Sequence, residues 1–194
     1  MKSICVYCGS SIGAKPIYAQ AAQAFARALV QADCSLVYGG GRVGLMGVIA
    51  DEVLAAGGRA VGVIPELLVD KEVGHTGLSE LHVVPDMHQR KRKMADLADA
   101  FVALPGGAGT LEELFEVYTW AQLGYHNKAI GLYDIGGYYA PLVGMLQHTV
   151  REGFMQQGYL NVLQIDTDAN ALLDKLRRYQ PPGRDKWATQ REVV

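Results

Sequence analysis

The sequence is poor in several features that would have decided its class early. Three cysteines among 194 residues, an odd number, do not make a disulfide framework. No apolar run is long enough to cross a bilayer. Met1-Lys2-Ser3-Ile4-Cys5 carries one lysine, lacks the apolar core and cleavage site of a signal peptide, and reads as the start of a strand. Charge of one sign is also lacking: 18 Lys and Arg oppose 20 Asp and Glu, a net −2. That balance argues against a partner held by bulk attraction to nucleic-acid phosphates. There is no internal repeat and no low-complexity linker. With 49% hydrophobic residues, the chain has enough apolar surface for one core. The expectation is a cytoplasmic protein with a single domain over residues 1–180, a polar tail over 181–194, no membrane contact and no nucleic-acid partner.

The cysteines invite one question, because Cys5-x-x-Cys8 has the spacing of redox motifs. The reactive form of that motif sits at a helix N-terminus, where the dipole stabilises a thiolate. Here Ile4-Cys5-Val6-Tyr7 reads as a strand, and an odd separation on a strand points the two side chains to opposite faces. No second pair and no nearby histidine completes a zinc site. The expectation is two packing cysteines.

What the sequence does have is an alternation of strand and helix signals. Apolar runs at Ser3–Tyr7, Leu36–Tyr38, Ala60–Ile64, Leu81–Val84, Ala100–Ala103 and Ala129–Tyr133 read as strands. Helical periodicity runs from Pro16 to Ala32, Leu45 to Ala56, Met87 to Ala98, Thr110 to Leu123, Tyr138 to Glu152 and Ala169 to Arg178. Short apolar strands without polar alternation predict a sheet covered on both faces. Alternation with helices predicts an α/β fold: Rossmann-like, doubly wound, with a mainly parallel sheet and helices on both faces. Ligands in such folds bind at the carboxyl ends of the strands. Three strands end there in glycine-rich turns: Cys8-Gly9-Ser10-Ser11, Gly39-Gly40-Gly41 and Gly106-Gly107-Ala108-Gly109.

The third turn lies in Leu104-Pro105-Gly106-Gly107-Ala108-Gly109-Thr110-Leu111-Glu112-Glu113. Glycines let a backbone approach a ligand closely, and the N–H groups of the following helix make an anion site. Thr110 can cap that helix, and its hydroxyl can also face a phosphate. General nucleotide fingerprints fail: no G-x-G-x-x-G follows the first strand, and the P-loop lysine is missing. The five histidines lack metal-ligand spacing, and no G-x-S-x-G elbow occurs.

Met87-His88-Gln89-Arg90-Lys91-Arg92-Lys93-Met94 could be a solvated basic helix face. Helical geometry divides it. Arg90 falls on the stripe of Met87, Met94, Leu97 and Ala98, and Lys91 borders that stripe. A cation there is costly unless paired, so both need an anion from the protein or from a ligand. On the helix after Thr110, Leu111, Leu114, Phe115, Tyr118 and Ala121 make the main apolar stripe. Glu113 aligns with Val117, Trp120 and Gly124 on a second apolar face, so it is the stronger candidate for chemistry. Glu112 suits the helix dipole. A helix apolar on two sides is buried in the fold or in a subunit contact.

Pro105-Gly106-Gly107-Ala108-Gly109-Thr110-Leu111-Glu112-Glu113 matches P-G-G-x-G-T-x-x-E. With Met87-His88-Gln89-Arg90-Lys91 it resembles the LOG ("Lonely Guy") family, the cytokinin riboside 5′-monophosphate phosphoribohydrolases. Leu36 to Gly41, Gly44-Leu45-Met46-Gly47 and Thr119 to Gly124 extend the resemblance, together with Gly9 and Ser10 after the first strand. It implies hydrolysis of the N-glycosidic bond of a nucleoside 5′-monophosphate, with Arg90 and Glu113 as the catalytic pair. It implies nucleotide contacts from Gly9, Ser10, Glu72, Met87, Arg90, Lys91, Thr119 and the run Gly106, Gly107, Ala108, Gly109, Thr110, Leu111, Glu112, Glu113. It also implies a homodimer and no metal or organic cofactor. Ala108 occupies a slot where tyrosine is common. Relatives are often labelled lysine decarboxylases, but that chemistry needs a Schiff-base lysine with a supporting acid. Lys91 sits beside Arg90 with nothing that completes such a site.

Overall fold

In a computed structural model, which describes residues 1–69 and 74–181, each strand hands over to a helix. The order begins β1 (Ser3–Tyr7), α1 (Ile17–Gln31), β2 (Ser35–Tyr38), α2 (Gly44–Ala55), β3 (Ala60–Pro65), α3 (Glu66–Val69) and β4 (Glu80–Val84). It continues α4 (Met87–Leu97), β5 (Ala100–Ala103), α5 (Ala108–Gln122), β6 (Ala129–Tyr133), α6 (Ala140–Arg151), α7 (Gln157–Leu160), β7 (Leu163–Asp166) and α8 (Ala169–Arg178). All strand pairs are parallel, in the order β4-β3-β2-β1-β5-β6-β7. The doubly wound α/β expectation holds.

Strand periodicity sorts β1 between two layers. Ile4 and Val6 pack with Phe25 and Leu29 of α1, Ile49 and Val53 of α2 and Leu172 of α8. Cys5 and Tyr7 face the other way, toward Met94 of α4 and Leu114, Val117 and Tyr118 of α5. A fully buried residue such as Phe25 contributes about 1.5–3 kcal/mol through lost water contact. Cys5 and Cys8 belong to opposite layers, and burial pushes both thiols well above their ordinary pKa. Neither is a ready thiolate, as the strand reading predicted.

The differences from the expected elements have local causes. A seventh strand, β7, closes one edge. Its four residues are mostly half-buried, too short and too mixed to stand out in sequence. At the other edge, β4 alternates half-buried with exposed residues and breaks the all-apolar pattern, since one of its faces is open to solvent. Helix α5 starts at Ala108, two residues earlier than the glycines suggested, and its N-cap is Gly107 rather than Thr110. Phe115 is 37% exposed, so it leaves the apolar stripe assigned to it.

The chain runs outward from β1 to β2, β3 and β4, then returns to place β5 against β1. This reversal opens a crevice between the carboxyl ends of β1 and β5, the site such sheets use for ligands. No helix among the described residues is long and apolar enough to cross a membrane.

Candidate active site

The β1 and β5 turns are stitched together over that crevice. The Gly9 N–H donates to the Pro105 carbonyl at 3.1 Å, and the Leu45 N–H at the start of α2 donates to the Gly9 carbonyl at 2.9 Å. A Cβ on Gly106 would stand 2.1 Å from Thr110 Oγ1 and 2.8 Å from the Gly9 nitrogen, so only glycine fits between the loop and the helix. Thr110 is thereby buried beneath the turn, while Gly107, Ala108 and Gly109 stay exposed at the start of α5. The first N–H groups of a helix have no intrahelical acceptor and suit an anion. A cleft of about 270 Å³ opens beside them, walled by residues 9–13, Tyr18, Leu45, residues 105–107 and Tyr138. Ser10 lies on its rim, exposed.

Sequence reasoning did not select Tyr138 or Tyr139. The Tyr138 hydroxyl donates to the Gly106 carbonyl at 2.5 Å, and the buried Tyr139 hydroxyl donates to the Leu104 carbonyl at 2.7 Å. Both brace the glycine turn from the loop after β6. That contact spans more than 30 residues of chain, and no local pattern announces it.

Arg90 comes from α4, whose first turn is capped by the Asp86 carboxylate accepting from the Gln89 N–H at 2.8 Å. The backbone hydrogen bond from Gln89 holds the Asp86 carboxyl below its ordinary pKa. Buried Arg90 donates through Nε to the Val63 carbonyl at 3.2 Å and through Nη2 to the Gly39 carbonyl at 3.1 Å. Its Nη1 lies 3.6 Å from the sulfur of Met87, which is 40% exposed at the start of the helix. The guanidinium therefore spans the carboxyl ends of β2 and β3. Glu113 is half-buried on α5. Burial raises the Cys5 pKa most, and the charges of Glu113 and Arg90 then act on the same thiol in opposite directions. Glu113 also raises Tyr7 and Cys8. Helices α4 and α5, which carry the two residues, both pack against β1, in the layer that holds Cys5, Met94 and Leu114.

Lys91 meets protein anions. Its Nζ lies 2.6 Å from Glu112 Oε1 and 3.0 Å from Glu116 Oε1. Burial alone would lower its pKa, but hydrogen bonds to Glu112 and Glu116 outweigh that, so the pKa is raised. Glu116 was not singled out from sequence; its signal was the i,i+4 spacing from Glu112. Leu111 is half-buried beside the turn. Thr119 is exposed, six residues past Glu113 and roughly 9 Å further along the axis, so the fold does not bring it to the glycine turn. Glu72 lies outside the described residues. Among the described residues no group of three or more His, Cys, Asp and Glu could hold a metal ion.

Fold and site together define a Rossmann-like α/β protein with a Pro-Gly-Gly turn at its switch point, leading into the helix that carries Glu113. A family model described as "possible lysine decarboxylase" matches residues 46–176. The probable cytokinin riboside 5′-monophosphate phosphoribohydrolase LOGL2 of Oryza sativa subsp. japonica is 46% identical over 93% of this chain and 74% of its own. The cytokinin riboside 5′-monophosphate phosphoribohydrolase LOG7 of Arabidopsis thaliana is 47% identical over 93% of this chain and 83% of its own. The chain belongs to this LOG family. Among solved structures, the molybdenum cofactor carrier protein of Chlamydomonas reinhardtii superposes with a TM-score of 0.65 at 16% identity, covering 91% of this chain and 96% of its own. The molybdenum cofactor binding protein of Rippkaea orientalis gives the same TM-score and identity. That likeness is one of fold.

Proposed function

We propose that this protein hydrolyses the N-glycosidic bond of cytokinin riboside 5′-monophosphates, of AMP, or of both, releasing the free base and ribose 5-phosphate. Water supplies the oxygen that ends on the ribose C1′ and a proton for the departing base. The reading rests on α4 and α5, which carry Arg90 and Glu113, both packing against β1, with the Gly106–Thr110 turn at the start of α5, in a chain 42–47% identical to relatives bearing that name. The N-terminus of α5 and the glycine turn hold the 5′-phosphate. Glu113 supplies the negative charge that an oxocarbenium-like transition state attracts. Arg90, anchored on the carbonyls of Val63 in β3 and Gly39 after β2, orients the sugar or the carboxylate.

The lysine decarboxylase description fits the site poorly. A Schiff base needs a neutral amine, whereas two carboxylates hold Lys91 as an ammonium. Phe115, Leu123, Tyr125 and Met145 are exposed large apolar side chains, the kind of surface that a second copy of the chain would cover in a homodimer. Three buried free cysteines suit a reducing cytoplasm.

The test is chromatographic detection of free base after incubation with AMP, N6-isopentenyl-AMP and the matching nucleosides. Base from the monophosphates alone is expected. Nucleotide binding without base release would instead favour a non-catalytic carrier.

A further inference from the structure

We propose that Glu116 is a positioning residue: through Lys91 it fixes the helix carrying Glu113 against the helix carrying Arg90. This rests on the reading of Arg90 and Glu113 as the reacting pair. The two residues stand on different helices, which share β1 and otherwise rest on different strands. Helix α4 packs on β1 to β4, and α5 packs on β1 and β5. Beyond that shared strand, their separation depends on what joins the helices near the site. Lys91, the residue next to Arg90, makes that join. Its ammonium is shared by Glu112 and Glu116, which bracket Glu113 along α5 at one residue before and three after.

The two halves of the bridge differ. The Glu112 side chain is 55% exposed, whereas Glu116 is 22% exposed and Lys91 11%. Solvent and salt screen the first contact more strongly, so the second is the firmer anchor. Charge points the same way. Glu112, Glu113 and Glu116 place three carboxylates within just over one turn of α5, and like charges at such spacing repel. An ammonium between the outer two offsets that repulsion and keeps Glu113 from being driven away from its place. A misplacement of about 1 Å at a reacting group can cost roughly 100-fold in rate. Lys91 is thus chiefly a holder of carboxylates.

The experiment measures kcat, KM and the melting temperature for Glu116→Gln, Lys91→Met, the double variant and Glu116→Asp, with AMP and N6-isopentenyl-AMP as substrates and Glu113→Gln as reference. Glu116→Gln should lower kcat about tenfold with KM within about twofold, the signature of a lost transition-state contribution. If Glu116 acts through Lys91, the double variant is no slower than Lys91→Met alone. Glu116→Asp, which keeps the charge, should recover part of the loss; should Glu116→Gln not fold, it carries the test by the same kcat criterion. Wild-type kcat in the Glu116 variants, a change confined to KM, or losses that multiply in the double variant would overturn the proposal. Normal turnover by Glu113→Gln sinks the reacting pair itself. An inactive Glu113→Gln beside an unimpaired Glu116→Gln sinks only the bridge.

Discussion

Arg90 and Gly39 occupy what is nearly one volume: the guanidinium Nη2 donates to the Gly39 carbonyl at 3.1 Å, and a Cβ on Gly39 would lie 2.1 Å from that same nitrogen. The glycine after β2 is a seat for the arginine. Gly39→Ala should therefore displace the guanidinium. We expect a loss of turnover of roughly 100-fold, the scale of a 1 Å displacement at a reacting group, with a smaller loss of thermal stability. Steady-state kinetics beside a melting curve check it, and unchanged kcat would mean that Arg90 has another productive position.

Glu113→Gln keeps the shape of the side chain and removes its charge. Turnover should fall by about 10²–10⁴-fold, the range for loss of a positioned acid or base, while the melting temperature stays within a few degrees. Single-turnover assay of base release reads this directly.

Gly106→Ala should cost about 1–3 kcal/mol, because the added methyl meets Thr110 Oγ1 and the Gly9 nitrogen in a closed stitch between two loops. Urea denaturation gives the figure. A neutral result would show that the turn is looser than its hydrogen bonds suggest.

His126 provides a pH prediction. Its Nε2 donates to the Val117 carbonyl at 2.9 Å, and its Nδ1 accepts the Lys128 N–H at 3.1 Å, so the ring is neutral with the proton on Nε2. Burial is the main cause that lowers its pKa from the ordinary 6.5. A base with a lowered folded pKa binds its proton more readily when unfolded. Its contribution is therefore complete above about pH 6.5 and is lost as pH falls through the folded value. Denaturation midpoints between pH 5 and 8 should decline on the acid side, and His126→Gln should flatten that decline. An equal decline in the variant would assign the acid sensitivity to other groups.

The sequence alone determined the layering of this protein. Apolar runs alternating with 3.6-residue periodicity leave few arrangements besides a covered parallel sheet, and glycines at strand ends mark where a ligand can approach. The Pro105 to Glu113 motif and the cation on the α4 stripe were legible for the same reason: each is a local pattern whose cost or purpose can be read within one element. Tertiary structure decided what lies between elements. That Lys91 closes on Glu112 and Glu116 while Arg90 reaches Val63 and Gly39 depends on strand order, which no local periodicity encodes. The bracing of Leu104 and Gly106 by Tyr139 and Tyr138 depends on β6 lying beside β5. The start of α5 at Ala108 likewise followed from a turn held by Gly9 and the loop after β6, whose contacts outweigh the weak helix propensity of glycine.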